Sequence, residues 1–264
     1  MIQRTITAVV AGVAFIAVLV WGGIALNLLT GVLAILVTSE FFRMKGLRLL
    51  SFEGVLIAAA GAALAMPGLS SLLHLDSSGP FLLFALFVMV LLAATVFAKG
   101  TYSFEDLAFP FFVAFYAGLG FQCLVLARNL SLFIVLLAVA MVWATDIFAY
   151  LVGRQFGRRK LIPEVSPSKT IEGSIGGILG AVVVALILLT VFHSQAPQLG
   201  YVRMIIYAVL FSAAGQMGDL VESAIKRRYG VKDSGNILPG HGGIFDRFDS
   251  MLFVLPLMHL LGLF

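Results

Sequence analysis

The sequence predicts an all-α polytopic membrane protein with about nine transmembrane helices, and three observations support this fold class. First, 61% of the 264 residues are hydrophobic and only 11% are charged, whereas soluble domains carry about 25% charged residues. Second, the apolar residues form continuous runs that approach the length of a membrane helix, about 20 residues. Third, these runs do not alternate as the strands of a membrane barrel do, so strands are not expected.

Nine apolar runs account for the predicted helices. They cover residues 6–20, 24–38, 54–73, 81–98, 107–126, 132–152, 174–192, 202–224 and 250–263. Only Trp21, Gly22 and Gly23 separate the first two runs, so one long tilted helix is an alternative to two short ones. A cleaved signal peptide is a weaker alternative, because no small-residue cleavage pattern follows the first run.

The positions of the lysines and arginines predict the orientation. If the N-terminus is cytoplasmic, only Arg128 and Arg203 of the 17 lysines and arginines fall outside, as the positive-inside rule requires. The C-terminus then lies outside, and a bacterial inner membrane is the expected location. The single cysteine, Cys123, sits in an apolar run, which excludes a disulfide within the chain.

Two polar segments on the predicted cytoplasmic side, 153–173 and 226–249, stand out from the apolar runs. Both contain glycine, proline and serine, and together they hold most of the polar residues of the second half. The sequence therefore divides into N-terminal transmembrane helices at 1–130 and a C-terminal transmembrane region at 131–264. The second region, with its two cytoplasmic loops, is predicted to carry the chemistry.

The segment 226–249 combines the residue types that bind a phosphate and a divalent cation. Its glycines let backbone N–H groups approach a phosphate, and Arg247 offers a fixed fork of donors. Asp246 and Asp249 are three residues apart, so both would lie on one face of a helix that begins near them. Mg²⁺ commonly takes one or two carboxylates together with substrate phosphates. The alternative is a basic run that only enforces topology or holds anionic headgroups.

His241 lies between two glycines of that segment. No other histidine or cysteine lies at zinc-ligand spacing from it, so zinc is not expected. We expect this side chain to contact a phosphate or a neighbouring carboxylate.

Asp219 and Glu222 lie in the apolar run before the segment 226–249. Carboxylates inside membrane helices are costly and usually functional. Glu222 and Lys226 are four residues apart and could pair on the helix surface, which favours Asp219 as a metal ligand and Glu222 as a structural acid. A structural role for both acids, as partners of Lys226 or Arg227, is the alternative.

The first polar segment and the helix before it offer a second group of candidates. Asp146 and Tyr150 are four residues apart and face the same direction, although Asp146 could simply hydrogen-bond to a neighbouring helix. Ser168 or Thr170 could cap the helix that follows, and a helix start beside Lys169 is a ready anion site. Capping alone is the alternative.

These residues resemble the signature of the phosphatidate cytidylyltransferases, also called CDP-diacylglycerol synthases. The positions that match it without a gap are Ser223, Ile225, Lys226, Arg227, Lys232, Asp233, Gly235, Leu238, Pro239, His241, Gly242, Gly243, Ile244, Asp246, Arg247, Phe248 and Asp249. The resemblance extends to the D-x-x-A-Y-x-x-G run at 146–153 and to the S-P-x-K-T-x-E-G run at 166–173. The family commonly carries a second lysine at the position of Ser168. The first half matches only as apolar spans.

The resemblance implies an activity and its cofactors. The family transfers the cytidylyl group of CTP to phosphatidate, which gives CDP-diacylglycerol and pyrophosphate for phospholipid biosynthesis, and it requires Mg²⁺. The resemblance implies that Asp219 and Asp246 hold the metal, with a second, monovalent cation such as K⁺ nearby. It also implies a homodimer in the lipid bilayer, and no nucleic acid is expected as a partner.

The candidate site residues form two sets. The catalytic candidates are Asp219, Asp246, Lys226, Arg227 and Arg247. The substrate-binding candidates are Asp146, Tyr150, Ser166, Ser168, Lys169, Thr170, Ser223, Lys232, Asp233, His241, Gly242, Gly243 and Asp249. The expected reaction is an in-line attack of a phosphatidate oxygen on the α-phosphorus of CTP, without a covalent enzyme intermediate.

Two other functions compete with this interpretation. A CTP-dependent lipid-alcohol kinase would transfer the γ-phosphate, so the position of a label in CTP separates the two reactions. A transporter whose intramembrane acids bind cations would show symmetry between its halves, whereas the polar residues here crowd into the second half.

Overall fold

The protein is described here by a computed structural model, which covers residues 2–97, 104–195, 199–237, 240 and 242–264. The chain divides into two compact units. Unit 1 consists of Met1–Asn129 and Val231–Arg247, and unit 2 consists of Leu130–Gly230 and Phe248–Phe264. The second polar segment of the sequence therefore belongs largely to the unit formed by the N-terminal helices.

Helices dominate both units. In chain order they are α1 (Ile2–Trp21), α2 (Gly23–Lys45), α3 (Phe52–Ala65), α4 (Leu69–Leu72), α5 (Gly79–Phe97), α6 (Phe104–Leu130), α7 (Leu132–Phe156), α8 (Ile171–Val191), a 3₁₀ turn (His193–Gln195), α9 (Tyr201–Arg228) and α10 (Phe245–Leu260). Two short strands, β1 (Lys160–Ile162) and β2 (Ser166–Thr170), complete the described elements. The predicted all-α membrane fold is confirmed.

Six of the described helices are long and apolar enough to cross a membrane, namely α2, α5, α6 from Leu107 onward, α7, α8 and α9. The described apolar part of α1 (Val10–Trp21) and α3 are shorter, and α10 has 16 residues. Every predicted apolar run contains a helix, but the number of membrane crossings stays a prediction.

The first two apolar runs form two helices, so the single long helix is excluded. The break lies at Gly22, whose positive φ of 71° suits glycine. The guanidinium of Arg128 donates hydrogen bonds of 2.6 Å to the carbonyls of Leu19 and Val20. A helix leaves its last carbonyls without intrahelical partners, and Arg128 satisfies two of them.

The core of unit 1 lies among α2, α3, α5 and α6. Its buried apolar side chains include Phe42, Ile57, Leu64, Phe84, Leu91 and Leu107. Helices α3 and α6 approach closely at two glycines, because a Cβ on Gly118 would lie 2.9 Å from the carbonyl oxygen of Gly61. Small residues allow such contacts between membrane helices.

In unit 2, helices α7, α8 and α9 pack against one another. Helix α8 presents glycines to α7, and a Cβ on Gly177 would lie 2.8 Å from the carbonyl oxygen of Thr145. The hydroxyls of Thr145 and Ser212 are 2.8 Å apart and join α7 to α9. Gln216 of α9 donates a 3.3 Å hydrogen bond to the carbonyl of Ser174 in α8. Polar bonds thus support the close backbone packing of the three helices.

The described apolar runs form helices, as predicted, and a short hairpin lies in the first polar segment, for which no strand was predicted. Strands β1 and β2 pair antiparallel, with Lys160 opposite Thr170. This polar segment contains Pro163 and Pro167. Proline disfavours a helix interior, and the segment forms a short hairpin instead.

The hairpin is tied to the start of α8. Of the two predicted caps, Thr170 is the one the structure uses, and its hydroxyl accepts a 3.1 Å hydrogen bond from the N–H of Gly173. Glu172, in the first turn of α8, accepts hydrogen bonds from the N–H groups of Arg158 and Arg159 at 3.1 and 3.2 Å. These contacts hold the chain before β1 against the start of α8.

Candidate active site

A cavity of about 330 Å³ that contains several charged side chains opens in unit 2 between α7, α8, α9 and the hairpin. The candidates that line it are Asp146, Tyr150, Ser168, Lys169, Thr170 and Asp219. The structure thus brings together residues that are more than 70 positions apart in the chain. The lining also includes Arg154 and Gln216, which sequence reasoning missed as site residues. In the sequence, Arg154 is one of the lysines and arginines that the positive-inside rule places in the cytoplasm, and nothing else marks it.

Lys169 and Asp219 form an ion pair at the cavity wall. The distance from Lys169 Nζ to Asp219 Oδ2 is 2.6 Å, and the two side chains are 23% and 33% exposed. Ser223, one turn along α9, donates a 3.3 Å hydrogen bond to the other carboxylate oxygen of Asp219. Strand β2 therefore places Lys169 beside Asp219, the predicted metal ligand.

Three carboxylates meet where α9 and α10 pack in unit 2. Asp219, Glu222 and Asp249 each offer an oxygen, and these oxygens lie within 4.8 Å of one another. The close contact depends on Gly218, because a Cβ there would lie 2.5 Å from the carbonyl oxygen of Asp249. Mg²⁺ prefers carboxylate oxygens and needs few of them when a substrate supplies phosphates, so this donor set fits the ion.

The basic end of α9 has partners inside unit 2. Lys226 Nζ lies 3.0 Å from a carboxylate oxygen of the buried Glu222, which confirms the pairing predicted from their spacing. Arg227 Nε donates a 3.4 Å hydrogen bond to the carbonyl of Val165, at the turn of the hairpin. Both predicted catalytic cations are therefore placed by contacts with the rest of the unit.

Most of the remaining candidates of the second polar segment belong to unit 1, which includes Val231–Arg247. Helix α10 begins at Phe245, which confirms the predicted helix start near Asp246. Asp246 Oδ2 accepts hydrogen bonds from the N–H of Ser234 (2.9 Å), the hydroxyl of Ser234 (3.0 Å) and the N–H of Gly243 (2.7 Å). Lys232, Asp233 and Arg247 are exposed, Gly242 is half-buried, and His241 lies outside the described residues. Ser166, in the hairpin of unit 2, is half-buried.

Glu40 of α2 is a residue that sequence reasoning missed. It is 2% exposed, and its carboxylate accepts hydrogen bonds from the N–H of Ile244 (2.7 Å), the N–H of Phe245 (2.9 Å) and the hydroxyl of Ser234 (2.9 Å). The predicted apolar run ends at residue 38, so Glu40 falls just outside it and no role is predicted for it. Two phenylalanines follow it directly, and this return to apolar sequence was the available signal.

Two glycines of the signature make room for the Glu40 carboxylate. A Cβ on Gly235 would lie 2.8 Å from Glu40 Oε1, and a Cβ on Gly243 would lie 2.5 Å from both carboxylate oxygens. The sequence suggested that such glycines admit a phosphate. At these two positions the close neighbour is a protein carboxylate, and the predicted substrate contact of Gly243 stays a prediction.

Comparison with known proteins decides the family. The family model described as "Cytidylyltransferase family" matches residues 2–264. The chain belongs to the cytidylyltransferase family. The match covers both units, and it confirms the resemblance drawn from residues 146–249.

Relatives within the cytidylyltransferase family match the chain over nearly its whole length. A phosphatidate cytidylyltransferase of Bacillus subtilis (strain 168) is 40% identical over 99% of this chain and 98% of the relative. A phosphatidate cytidylyltransferase of Staphylococcus haemolyticus (strain JCSC1435) is 40% identical over 98% of this chain and 97% of the relative. Another, of Staphylococcus aureus (strain COL), is 38% identical over the same shares.

Proposed function

We propose that the protein is a phosphatidate cytidylyltransferase, which converts CTP and phosphatidate to CDP-diacylglycerol and pyrophosphate. The observation that carries the proposal is the cavity of unit 2, which holds the Lys169–Asp219 pair within an apolar membrane protein. The names of relatives that are about 40% identical over nearly the full chain supply the substrates.

The proposed reaction joins two anions. An oxygen of the phosphatidate phosphate forms a bond to the α-phosphorus of CTP, and the bond from that phosphorus to the bridging oxygen of the β-phosphate breaks. The pyrophosphate leaves with the electron pair. The lipid phosphate is already anionic at neutral pH, so no side chain is needed as a general base. The protein must therefore position the two phosphates and offset their repulsion.

Positive side chains of the candidate site would supply that compensation. Lys169 and Arg154 line the cavity directly. Lys226 and Arg227 belong to the same unit, each held by a partner within it. Lys169 would exchange its contact with Asp219 for a phosphate oxygen when the substrates bind. Arg247, exposed at the start of α10, is proposed to bind a phosphate through its planar fork of donors.

We propose Asp219 as the central Mg²⁺ ligand. Asp249 and Glu222 offer oxygens within 4.8 Å of it, which makes Asp249 a further ligand candidate in unit 2. Asp246, which the family signature pairs with Asp219, remains the predicted second ligand. When bound, the ion would neutralise charge that develops on the departing pyrophosphate. A second, monovalent cation such as K⁺ is proposed only from the family resemblance.

The same proposal gives the enzyme an orientation in the bacterial inner membrane. The N-terminus and the polar segments would face the cytoplasm, where CTP is available, and the C-terminus would lie outside. The excess of lysines and arginines on one side supports this orientation. A homodimer is a further proposal that rests on the family resemblance.

Labelled CTP tests the reaction directly. Purified protein is incubated with Mg²⁺, with phosphatidate or a lipid alcohol as the acceptor, and with CTP that carries label at the α-phosphate or at the γ-phosphate. Cytidylyl transfer places only the α-label in the lipid and releases the γ-label as pyrophosphate. Entry of the γ-label into a lipid would instead establish a kinase, and folded protein that transfers neither label would refute the proposal.

A further inference from the structure

We propose that Glu40 is a positioning residue that sets the place of Asp246 through the backbone at the start of α10. This inference rests on the proposed role of Asp246 as a Mg²⁺ ligand. Glu40 lies in the N-terminal half, which the sequence comparison with the family signature left without any functional residue. All the contacts that carry the inference lie within unit 1.

The Glu40 carboxylate acts as a cap that one helix provides to another. Its two oxygens accept the N–H groups of Ile244 and Phe245, at 2.7 and 2.9 Å. These N–H groups open α10 and have no carbonyl partner within the helix. A negative charge also interacts favourably with the positive end of the helix dipole. The helix that carries Asp246 in its first turn is therefore anchored on a residue of α2 about 200 positions earlier.

Ser234 connects Glu40 to Asp246. Its hydroxyl lies 2.9 Å from Glu40 Oε2 and 3.0 Å from Asp246 Oδ2. The N–H of Ser234 donates a further 2.9 Å hydrogen bond to the same Asp246 oxygen. Ser234 is 2% exposed, so water does not replace these contacts. The two acids are thus linked through one buried side chain as well as through the helix start.

Aromatic packing holds the same junction. The ring of Phe245 is fully buried and lies 4.7 Å from the ring of Phe41, the neighbour of Glu40 in α2. The ring of Tyr116 meets Phe245 edge-on at 6.1 Å. The start of α10 therefore has a packed position that the Glu40 hydrogen bonds complete, and loss of these bonds would shift it locally without unfolding the unit.

The arrangement requires a carboxylate. A glutamine at position 40 has the same size, but one of its two terminal atoms is an N–H₂ donor. Whichever way the amide is turned, one buried N–H, that of Ile244 or that of Phe245, would face a donor instead of an acceptor. Glu40→Gln therefore removes a specific bond at the helix start and leaves the volume of the core unchanged.

The first experiment measures hydrogen exchange in metal-free protein. In Glu40→Gln, one of the backbone amides of Ile244 and Phe245 should exchange at least about tenfold faster than in the wild type, because it loses its acceptor. Peptides from α7 and α8 should exchange as before. Glu53→Gln, the same change at the half-buried start of α3, serves as the matched control and should alter neither region.

The second experiment measures the Mg²⁺ concentration that gives the half-maximal rate. Residues that orient a metal ligand typically affect metal affinity by about 10–100-fold, so Glu40→Gln should raise this concentration by about that factor. Excess Mg²⁺ should restore part of the rate. A purely structural role would lower the maximal rate with the amount of folded protein and leave the Mg²⁺ dependence unchanged.

Ser234→Ala keeps the inference testable if Glu40→Gln does not fold. This smaller change removes the hydroxyl between the two acids and should raise the Mg²⁺ requirement in the same direction. In folded protein, an unchanged Mg²⁺ requirement in Ser234→Ala, or in Glu40→Gln, would overturn the inference. Wild-type protein without cytidylyl transfer would instead refute the proposed function, while the exchange experiment would still report on the Glu40 contacts.

Discussion

The ion pair between Lys169 and Asp219 joins the first polar segment to helix α9 at one point of the cavity. The two charged groups are 2.6 Å apart and both side chains are partly exposed. Arg154 also lines the cavity, so two positive side chains lie where the proposed reaction would bring its phosphates. In the proposed reaction Lys169 changes partner, from a carboxylate in the free protein to a phosphate in the complex, and Mg²⁺ would replace it as the partner of Asp219.

Lys169→Met should therefore lower the rate of cytidylyl transfer by about 10²–10³-fold, the usual effect of removing one charge-stabilising donor. The protein should remain folded, because the lysine is on a short hairpin at the edge of unit 2. Lys160→Met removes the same charge from the neighbouring strand, outside the cavity lining, and should keep most of the activity. Rates within twofold of the wild type for Lys169→Met would contradict the assignment.

Single residues differ in how visible they are in the sequence. Asp219 and Asp146 stand out because an acid within an apolar run is a local signal, and both line the cavity. Glu40 gives a weaker signal, since its partners lie 194 to 205 positions away and their placement depends on the tertiary fold. Arg154 gives no separate signal in the sequence, because a basic residue at the end of a span is already explained by the positive-inside rule.

Among the elements, the tight pairing of α7 and α8 shapes the cavity. Glycines of α8 lie against the backbone and side chains of α7, and Gly173 lines the cavity itself. The apolar runs predicted both helices to within a few residues, because length and hydropathy are local properties. Which face of each helix meets the other depends on the close approach of backbones, and no residue pattern along one helix specifies the partner.

The packing predicts a clear effect of Gly177→Ala on stability. The added Cβ would lie 2.8 Å from the carbonyl oxygen of Thr145, which is backbone and can yield only if α7 shifts. The expected cost is about 1–3 kcal/mol, as for other overpacked cores, and a lower melting temperature in detergent would report it. Gly12→Ala, with no atom within 4 Å of the added Cβ, should not lower the melting temperature. Equal melting temperatures for the two variants would contradict this packing.

For the molecule as a whole, the proposed orientation places the loop between α7 and α8 in the cytoplasm and the start of α9 outside. Cys123 is 1% exposed, so a Cys123→Ala background removes the only native thiol. In that background, Gly200→Cys should react with a membrane-impermeant maleimide in intact cells. Pro163→Cys, at an exposed position between the strands, should react only in inside-out vesicles.

The reverse labelling pattern would contradict the orientation, and labelling of both positions from one side would contradict the number of spans between them. This experiment addresses what hydropathy alone leaves undetermined. Composition was sufficient to predict a membrane fold, but the direction of insertion depends on a charge bias that acts during assembly.

The central claim is that the cavity around Asp219 carries out cytidylyl transfer. The most direct test compares the initial rate of α-label transfer from CTP to phosphatidate by wild-type protein and by Asp219→Asn. Glu164→Gln, the same chemical change at an exposed turn of the hairpin, is the matched control. We predict rapid transfer by the wild type and the control, and a rate about 10²–10³-fold lower for folded Asp219→Asn. Transfer by Asp219→Asn at the wild-type rate, at limiting and saturating Mg²⁺ alike, would contradict the account.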